Sequence, residues 1–248
     1  MSRAKLIRQQ IWEKLKPVAR PDSRFHLNFA EFIPDFQGSD QATDRVVAQP
    51  FYAAANYVFV TPDNGLAGLR RRLLEDGKTL VVSTYGIYRG FVLLEPAKIP
   101  SGSRPFAASL DGMEDFGRPI TLAEIESRGR FDCMVTGASA VSLNGVRFGK
   151  GHGFFDLEWG MFTEVGVADE RTQVTALVHD VQVVEELLQP SETDILVDAI
   201  ATPTRFITVS RGQRPHGIKW NLLDPDQLAA TPPLLELRRL RGLSQTVG

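Results

Sequence analysis

The chain has little of what marks a secreted or membrane-embedded protein. It holds one cysteine, Cys133, which excludes an internal disulfide framework and fits a reducing compartment. No apolar stretch approaches the roughly 20 residues of a membrane-spanning helix. The opening MSRAKLIRQQ does not have the form of a signal peptide. Net charge is nearly balanced, −2 at pH 7, so nothing draws the whole molecule to nucleic acid or to an anionic membrane, and any anion site must be local. His152, His179 and His216 are too scattered for a zinc signature. What is present is 248 residues at 43% hydrophobic content, enough for a sizeable core, with no linker-like stretch in the middle. A cytoplasmic globular protein is expected.

The most informative stretch is RFGKGHGFFD, Arg147 to Asp156, where three glycines at alternate positions interrupt a strand-like region just before a helical pattern. Gly149, Gly151 and Gly153 lack a Cβ, so the backbone can approach an anion closely and turn successive N–H groups toward it. Arg147 and Lys150 add positive charge. The run from Asp156 to Val165 could begin a helix whose N-terminus also favours an anion. The same residues also read as a glycine-rich hairpin between two elements.

Elsewhere the pattern alternates. Residues 3 to 16 form an amphipathic helix with Ala4, Ile7, Ile11 and Leu15 on one face and Lys5, Arg8 and Trp12 on another. Ser39 is a candidate cap for a short helix through Val47. Tyr57 to Thr61 and Thr79 to Ser83 read as strands around a helix from Leu66 to Asp76 that ends on Gly77, which makes one βαβ unit. Residues Pro96 to Pro119 read as loop, Leu122 to Ser127 as a short helix, and Phe131 to Thr136, Val174 to Val178 and Ile195 to Ala201 as strands. This alternation predicts an α/β fold, a mostly parallel sheet covered on both faces, with ligands at the carboxyl ends of the strands. Arg70 to Arg72 read as a solvated helix face. Cys133, inside an apolar strand, reads as an inert buried thiol. His179 beside Asp180 is either a general base or a hydrogen-bonded turn residue. The RPHGIKW segment, 214 to 220, either closes over a pocket or packs.

RFGKGHGFFD resembles the RLGYGGGYYDR signature of the 5-formyltetrahydrofolate cyclo-ligase, or methenyltetrahydrofolate synthetase, family. Gln182, Pro190, Asp194, Asp198 and Thr202 fall in the order of that family's downstream pattern, and Lys5 and Arg8 resemble its opening Lys-x-x-Arg helix. The resemblance covers most of residues 3 to 208. It implies a three-layer αβα fold similar to ribose-phosphate isomerase and coenzyme A transferases, as a single domain over residues 1–248 with 209–248 a C-terminal extension. Lys150, His152, Phe154, Phe155 and Leu157 depart from the signature, and Thr193 stands where the family usually has His. With IPDFQG, DLEWGM and RPHGIKW, these departures resemble a divergent branch that includes the methenyltetrahydrofolate synthetase domain-containing proteins.

The family's chemistry would make ATP and Mg2+ the expected cofactors and a reduced folate or related heterocycle the expected substrate. Phosphates would lie on the amides of Gly149, Gly151 and Gly153 with Lys5, Arg8 and Arg147. Lys150 would add charge, Phe154 and Phe155 a stacking surface without the family's hydroxyls, and Asp156 or Asp194 a carboxylate for magnesium. Two other readings are a non-catalytic nucleotide- or folate-binding protein and a paralogue in another pathway such as thiamin metabolism. With no RNP aromatic motif, nucleic acid is not an expected partner.

Overall fold

The structure, a computed structural model, describes residues 3–242; the ends of the expected domain, 1–2 and 243–248, lie outside the described residues. Its centre is an eight-stranded sheet. Five strands are parallel, lying in the spatial order Ala199–Ala201, Gln173–Leu177, Cys133–Thr136, Tyr57–Val60, Thr79–Ser83. Antiparallel strands extend both edges, Phe206–Thr208 on one side and Phe91–Leu94 then Arg118–Ile120 on the other. Numbered along the chain, the parallel strands run 2-1-3-4-5, a doubly wound order. The reversal falls between Tyr57–Val60 and Cys133–Thr136.

Alternate side chains of each strand enter different cores. Phe59, Val81 and Met134 pack on one face with helices Leu122–Arg128, Phe154–Glu164 and Pro232–Leu240. Val58, Val60, Leu80, Val82, Cys133 and Val135 pack on the other with helices Ser39–Val47 and Ala67–Glu75. The expected layers of helix, mostly parallel sheet and helix are therefore present.

Several boundaries differ from expectation. The stretch read as loop from Pro96 to Pro119 contains short helices, Arg104–Ala107 and Gly112–Phe116, and leads into the edge strand Arg118–Ile120. Phe91–Leu94 is an additional strand. Of the strand expected over Ile195 to Ala201, only Ala199–Ala201 joins the sheet. The amides of Ile195 and Val197 instead donate to Asp156 Oδ1 and the Gly145 carbonyl, which pulls that segment onto the glycine loop. Gly38, with φ 84°, rather than Ser39, occupies the cap of its helix.

A second, three-stranded sheet carries the glycine run. Ala140–Ser142 pairs antiparallel with Arg147–Phe148 and parallel with Val183–Val184. The hairpin turns at Gly145, φ 85°, where a Cβ would stand 2.7 Å from the Val197 carbonyl oxygen. The N-terminal helix Arg3–Leu15 lays Ile7 and Ile11 against Ala140, Val146, Leu188 and Leu196 of this region. That packing carries the helix's basic residues to the loop. No helix among the described residues is long and apolar enough to cross a membrane.

Candidate active site at the glycine loop

The loop leaves the short strand Arg147–Phe148 and enters helix Phe154–Glu164, which starts two residues before the expected Asp156. Gly151 (φ 122°) and Gly153 (φ 64°) adopt backbone conformations that favour glycine, whereas Gly149 does not. Gly153 is the residue that caps the helix. Because a left-handed conformation costs a residue with a Cβ about 1–2 kcal/mol, Gly153→Ala is expected to lower the unfolding free energy by that amount, read as a lower urea midpoint at unchanged slope.

Arg8 reaches this loop. Its guanidinium nitrogens lie 3.7 Å from where a Cβ on Gly151 would stand, and burial lowers its pKa. Lys5, one turn earlier, is exposed. Arg147 is only 4% exposed; its Nη2 donates to Asp156 Oδ1 at 2.7 Å, and the guanidinium lies 4.4 Å from the centre of the Phe155 ring. Burial raises the Asp156 pKa, while Arg147 and the Ile195 amide pull it down. Asp194, whose charge also acts on Asp156, accepts from the Ser191 amide through Oδ2. Lys150 turns outward from the loop: its Nζ donates to the Glu31 carbonyl at 2.7 Å and stands 4.5 Å from the Tyr85 ring centre. Tyr85 donates to the same carbonyl. The segment that follows the N-terminal helix is thereby drawn over the site.

Two cavities meet at the loop, and both are walled by His152 and Gly153. The first, partly open to solvent, is lined by Lys150, Phe154, Phe155, Tyr85, Phe32 and Arg24. Its floor is the strand ends themselves: Thr61 and Asp63, Ser83 and Thr84, Thr136 and Gly137. This is the topological switch of the sheet, the position where doubly wound folds leave a crevice. Asp63 Oδ2 closes the switch by accepting from Thr61 Oγ1 (2.6 Å) and from the Gly137 amide (2.9 Å). The second cavity lies beyond the loop against Asp156, Thr193, Ile195 and the RPHGIKW segment. That segment both lines a cavity and packs, since Trp159 Nε1 donates to the Pro215 carbonyl and the Gly217 amide to Thr163 Oγ1.

Some residues singled out in the sequence hold structure instead. His179 accepts from the Val181 amide through Nδ1, so it is a turn residue. Gln182 bridges the Ala138 carbonyl and the His179 amide. Thr202 and Thr204 donate to Asp180. Asp198 joins Arg211, Arg214 and the Val174 amide. Burial pushes the Cys133 thiol up to about 12, as expected of an inert one.

Two buried charged residues in or beside the site have sequence signals that their neighbours mask. Arg70, read as solvated, is fully buried, donating to the carbonyls of Thr61, Asp63 and Ala108. Glu158, on the helix after the loop, is 2% exposed and lines the first cavity. Burial raises its pKa to about 8; Ser83 and Arg147 pull it down, and Asp63 and Asp156 push it up. The Ser83 hydroxyl lies against this carboxyl without closing a well-formed hydrogen bond. Glu158 Oε2, Ser83 Oγ and Arg147 Nε are buried with no hydrogen-bond partner. Each such group costs about 1–3 kcal/mol unless something pairs it.

The arrangement places cations and glycine amides between a cavity with aromatic walls and a second cavity beyond the loop. That geometry suits an anionic group held at the loop beside a flat ligand. Among curated proteins, the methenyltetrahydrofolate synthase domain-containing protein of Homo sapiens is 36% identical over 98% of this chain and 62% of the relative. Its counterpart from Bos taurus is 33% identical over 94% of this chain and 61% of the relative. The chain thus spans less than two thirds of the length of these relatives. Among solved structures, 5,10-methenyltetrahydrofolate synthetase from Aquifex aeolicus is similar at a TM-score of 0.49 and 16% identity, covering 88% of this chain and 98% of that chain. The model of the 5-formyltetrahydrofolate cyclo-ligase family matches residues 1–203, which takes in the N-terminal helix, the strand ends at the switch and the whole glycine loop. By that match this chain belongs to the 5-formyltetrahydrofolate cyclo-ligase family.

Proposed function

We propose that the protein converts 5-formyltetrahydrofolate to 5,10-methenyltetrahydrofolate with ATP. The observation that carries this reading is the shared wall: His152 and Gly153 separate two cavities, so a phosphate chain on the loop can meet a heterocycle in the aromatic cavity. The formyl oxygen would attack the γ-phosphorus as the bond to ADP breaks. N10 would then add to the activated formyl carbon, and phosphate would leave with that oxygen. Such a transfer asks the protein mainly to position charge.

The residues fit a triphosphate. Gly151 and Gly153 open the backbone, Arg8 stands against Gly151, and the loop ends on a helix N-terminus. They also fit a magnesium ion held largely by phosphate oxygens. Asp156 turns Oδ1 to Arg147 and Ile195 while its Oδ2 faces Gly153, and Asp194 is the neighbouring carboxylate. The ion would neutralise developing negative charge. Arg147, buried under Phe155, keeps a fixed charge at the root of the loop. Lys5 and Arg8 would flank the phosphates from the N-terminal helix. Lys150 would release the Glu31 carbonyl to reach a phosphate, which requires its segment to move.

That last feature also favours a second reading, nucleotide or folate binding without turnover, since Lys150 is already engaged. The two separate in an absorbance assay of methenyl formation with magnesium and ATP. The enzyme reading expects ATP-dependent conversion, with Lys150→Ala lowering kcat/KM at least tenfold, about 1.4 kcal/mol. ATP binding by calorimetry with no conversion would establish the second reading instead.

A further inference from the structure

Glu158 and Ser83 come from different elements, a helix and the end of a central strand, and both line the aromatic cavity. They are 2% and 1% exposed. Glu158 Oε2 and Ser83 Oγ have no hydrogen-bond partner, although protein interiors ordinarily pair such atoms. The rest of the polar floor is satisfied from within: Thr61 and the Gly137 amide bond to Asp63, and Thr84 bonds to the Gly90 carbonyl. These two unpaired polar atoms thus sit side by side in a cavity bounded by the rings of Phe32, Tyr85 and Phe154, with Arg147 Nε a third unpaired atom of the same lining. Water could pair with one of them. A ligand that stacks on the rings and presents polar atoms along one edge pairs with both.

We propose that Glu158, with Ser83, is the specificity-determining seat of this cavity and recognises the N–H-bearing edge of a flat heterocycle, a cyclic amide or amidine. Glu158 accepts an N–H through Oε2, and the Ser83 hydroxyl, which can donate or accept, takes the neighbouring ring position. The aromatic walls select a planar ring. A site built to hydrogen-bond such an edge rejects a ring that lacks it, because the seat is then left unpaired. This deepens the functional reading above and takes from it the identity of the heterocycle as a reduced pterin.

The test is calorimetric affinity of the full chain for 5-formyltetrahydrofolate, for 6-methyltetrahydropterin, which keeps only the ring, and for p-aminobenzoylglutamate, which keeps only the tail. Glu158→Leu, an apolar replacement of similar size, is expected to weaken the two ring-bearing ligands at least tenfold and to leave the tail fragment and ATP unchanged. Glu158→Gln, which keeps an acceptor, is expected to stay within about threefold of the wild type, and Ser83→Ala to fall between. Circular dichroism checks that each variant is folded. Equal ring affinity in wild type and Glu158→Leu overturns the proposal, as does an equal loss for the tail fragment. Should the wild type bind neither folate nor tetrahydropterin, the functional reading fails separately. The seat is then tested with guanosine, whose ring carries such an edge, and stands only if binding depends on Glu158.

Discussion

Replacing Arg147 by alanine is expected to remove about 3–5 kcal/mol of stability and all ATP-dependent turnover. The side chain is 4% exposed, and its ion pair with Asp156 is 2.7 Å long. Breaking a buried pair from one side costs this much because the remaining charge is left without compensation. Here that charge is a carboxylate whose pKa burial already raises, with Asp194 adding repulsion and Arg147 the largest opposing influence. The Ile195 amide alone would hold it. Against a typical total of about 5–15 kcal/mol, the loss is large enough to read as a shifted urea midpoint and a lower Tm. Phe155 would also lose the cation on its face. Turnover lost through unfolding says nothing about chemistry, so a double variant is the informative partner. Arg147→Met with Asp156→Leu removes both charges and fills the space, which is often near neutral for a buried pair. It is expected to regain most of the stability while forming no methenyl product. A stable Arg147→Ala protein would show that the pair does not hold the loop, and turnover by the double variant would remove Arg147 from the reaction.

How much of this site the sequence revealed follows from where each signal lies. The glycine loop is local, so its alternate glycines and flanking cations were legible, as were the parallel strands whose apolar runs are bounded by turns. The N-terminal helix was legible too, because Ile7, Ile11 and Leu15 at helical spacing are the residues that become buried. The strand expected over Ile195 to Ala201 was too long because its apolar content comes from two different packings. Ile200 belongs to the sheet, whereas Leu196 packs with Ile7 and Ile11 of the N-terminal helix. No local pattern distinguishes them.

Glu158 is a different case. Its helix is buried on nearly every side, at Phe155 and from Leu157 through Thr163, because the segment after residue 209 covers what would otherwise be a solvent face. Gly160 shows how close that cover is, since a Cβ there would stand 2.6 Å from Ile218 Cδ1. A helix apolar on all sides is a buried helix. The run FFDLEWGMF therefore contained the hint that its glutamate has no water to face. The cover is long-range, and only the structure supplies it.

Arg70 had a signal that the run of three arginines hid. Leu66, Leu73 and Leu74 lie four before, three after and four after it, so Arg70 shares their buried face while Arg71 and Arg72 stay solvated. Its Nε donates to the Ala108 carbonyl at 2.8 Å, and its Nη1 to the carbonyls of Thr61 at 2.9 Å and Asp63 at 3.0 Å. Burial depresses its pKa to about 10, which still leaves it charged across the working range. Arg70 ties helix Ala67–Glu75 to the residues that follow the first parallel strand. Those same residues form the polar floor of the aromatic cavity. Arg70→Met is expected to cost about 2–6 kcal/mol, since the Thr61 and Ala108 carbonyls lose their donor at roughly 1–3 kcal/mol for each left buried and unpaired, while the Asp63 carbonyl keeps the Leu66 amide. Arg70→Lys, with a point charge in place of a planar fork, should recover only part of this. The functional effect should be one-sided. Heterocycle affinity falls as the Thr61–Asp63 turn loosens, and nucleotide affinity at the glycine loop holds. Hydrogen exchange provides the check: the amides of Thr61, Asp63 and Asn64, with Gly137 across the switch, should exchange faster in the Met variant, and those of Phe154–Glu164 should not. Unchanged protection at Thr61 and Gly137 would mean that Asp63, through its bonds to the Thr61 hydroxyl and the Gly137 amide, is enough to hold the switch closed.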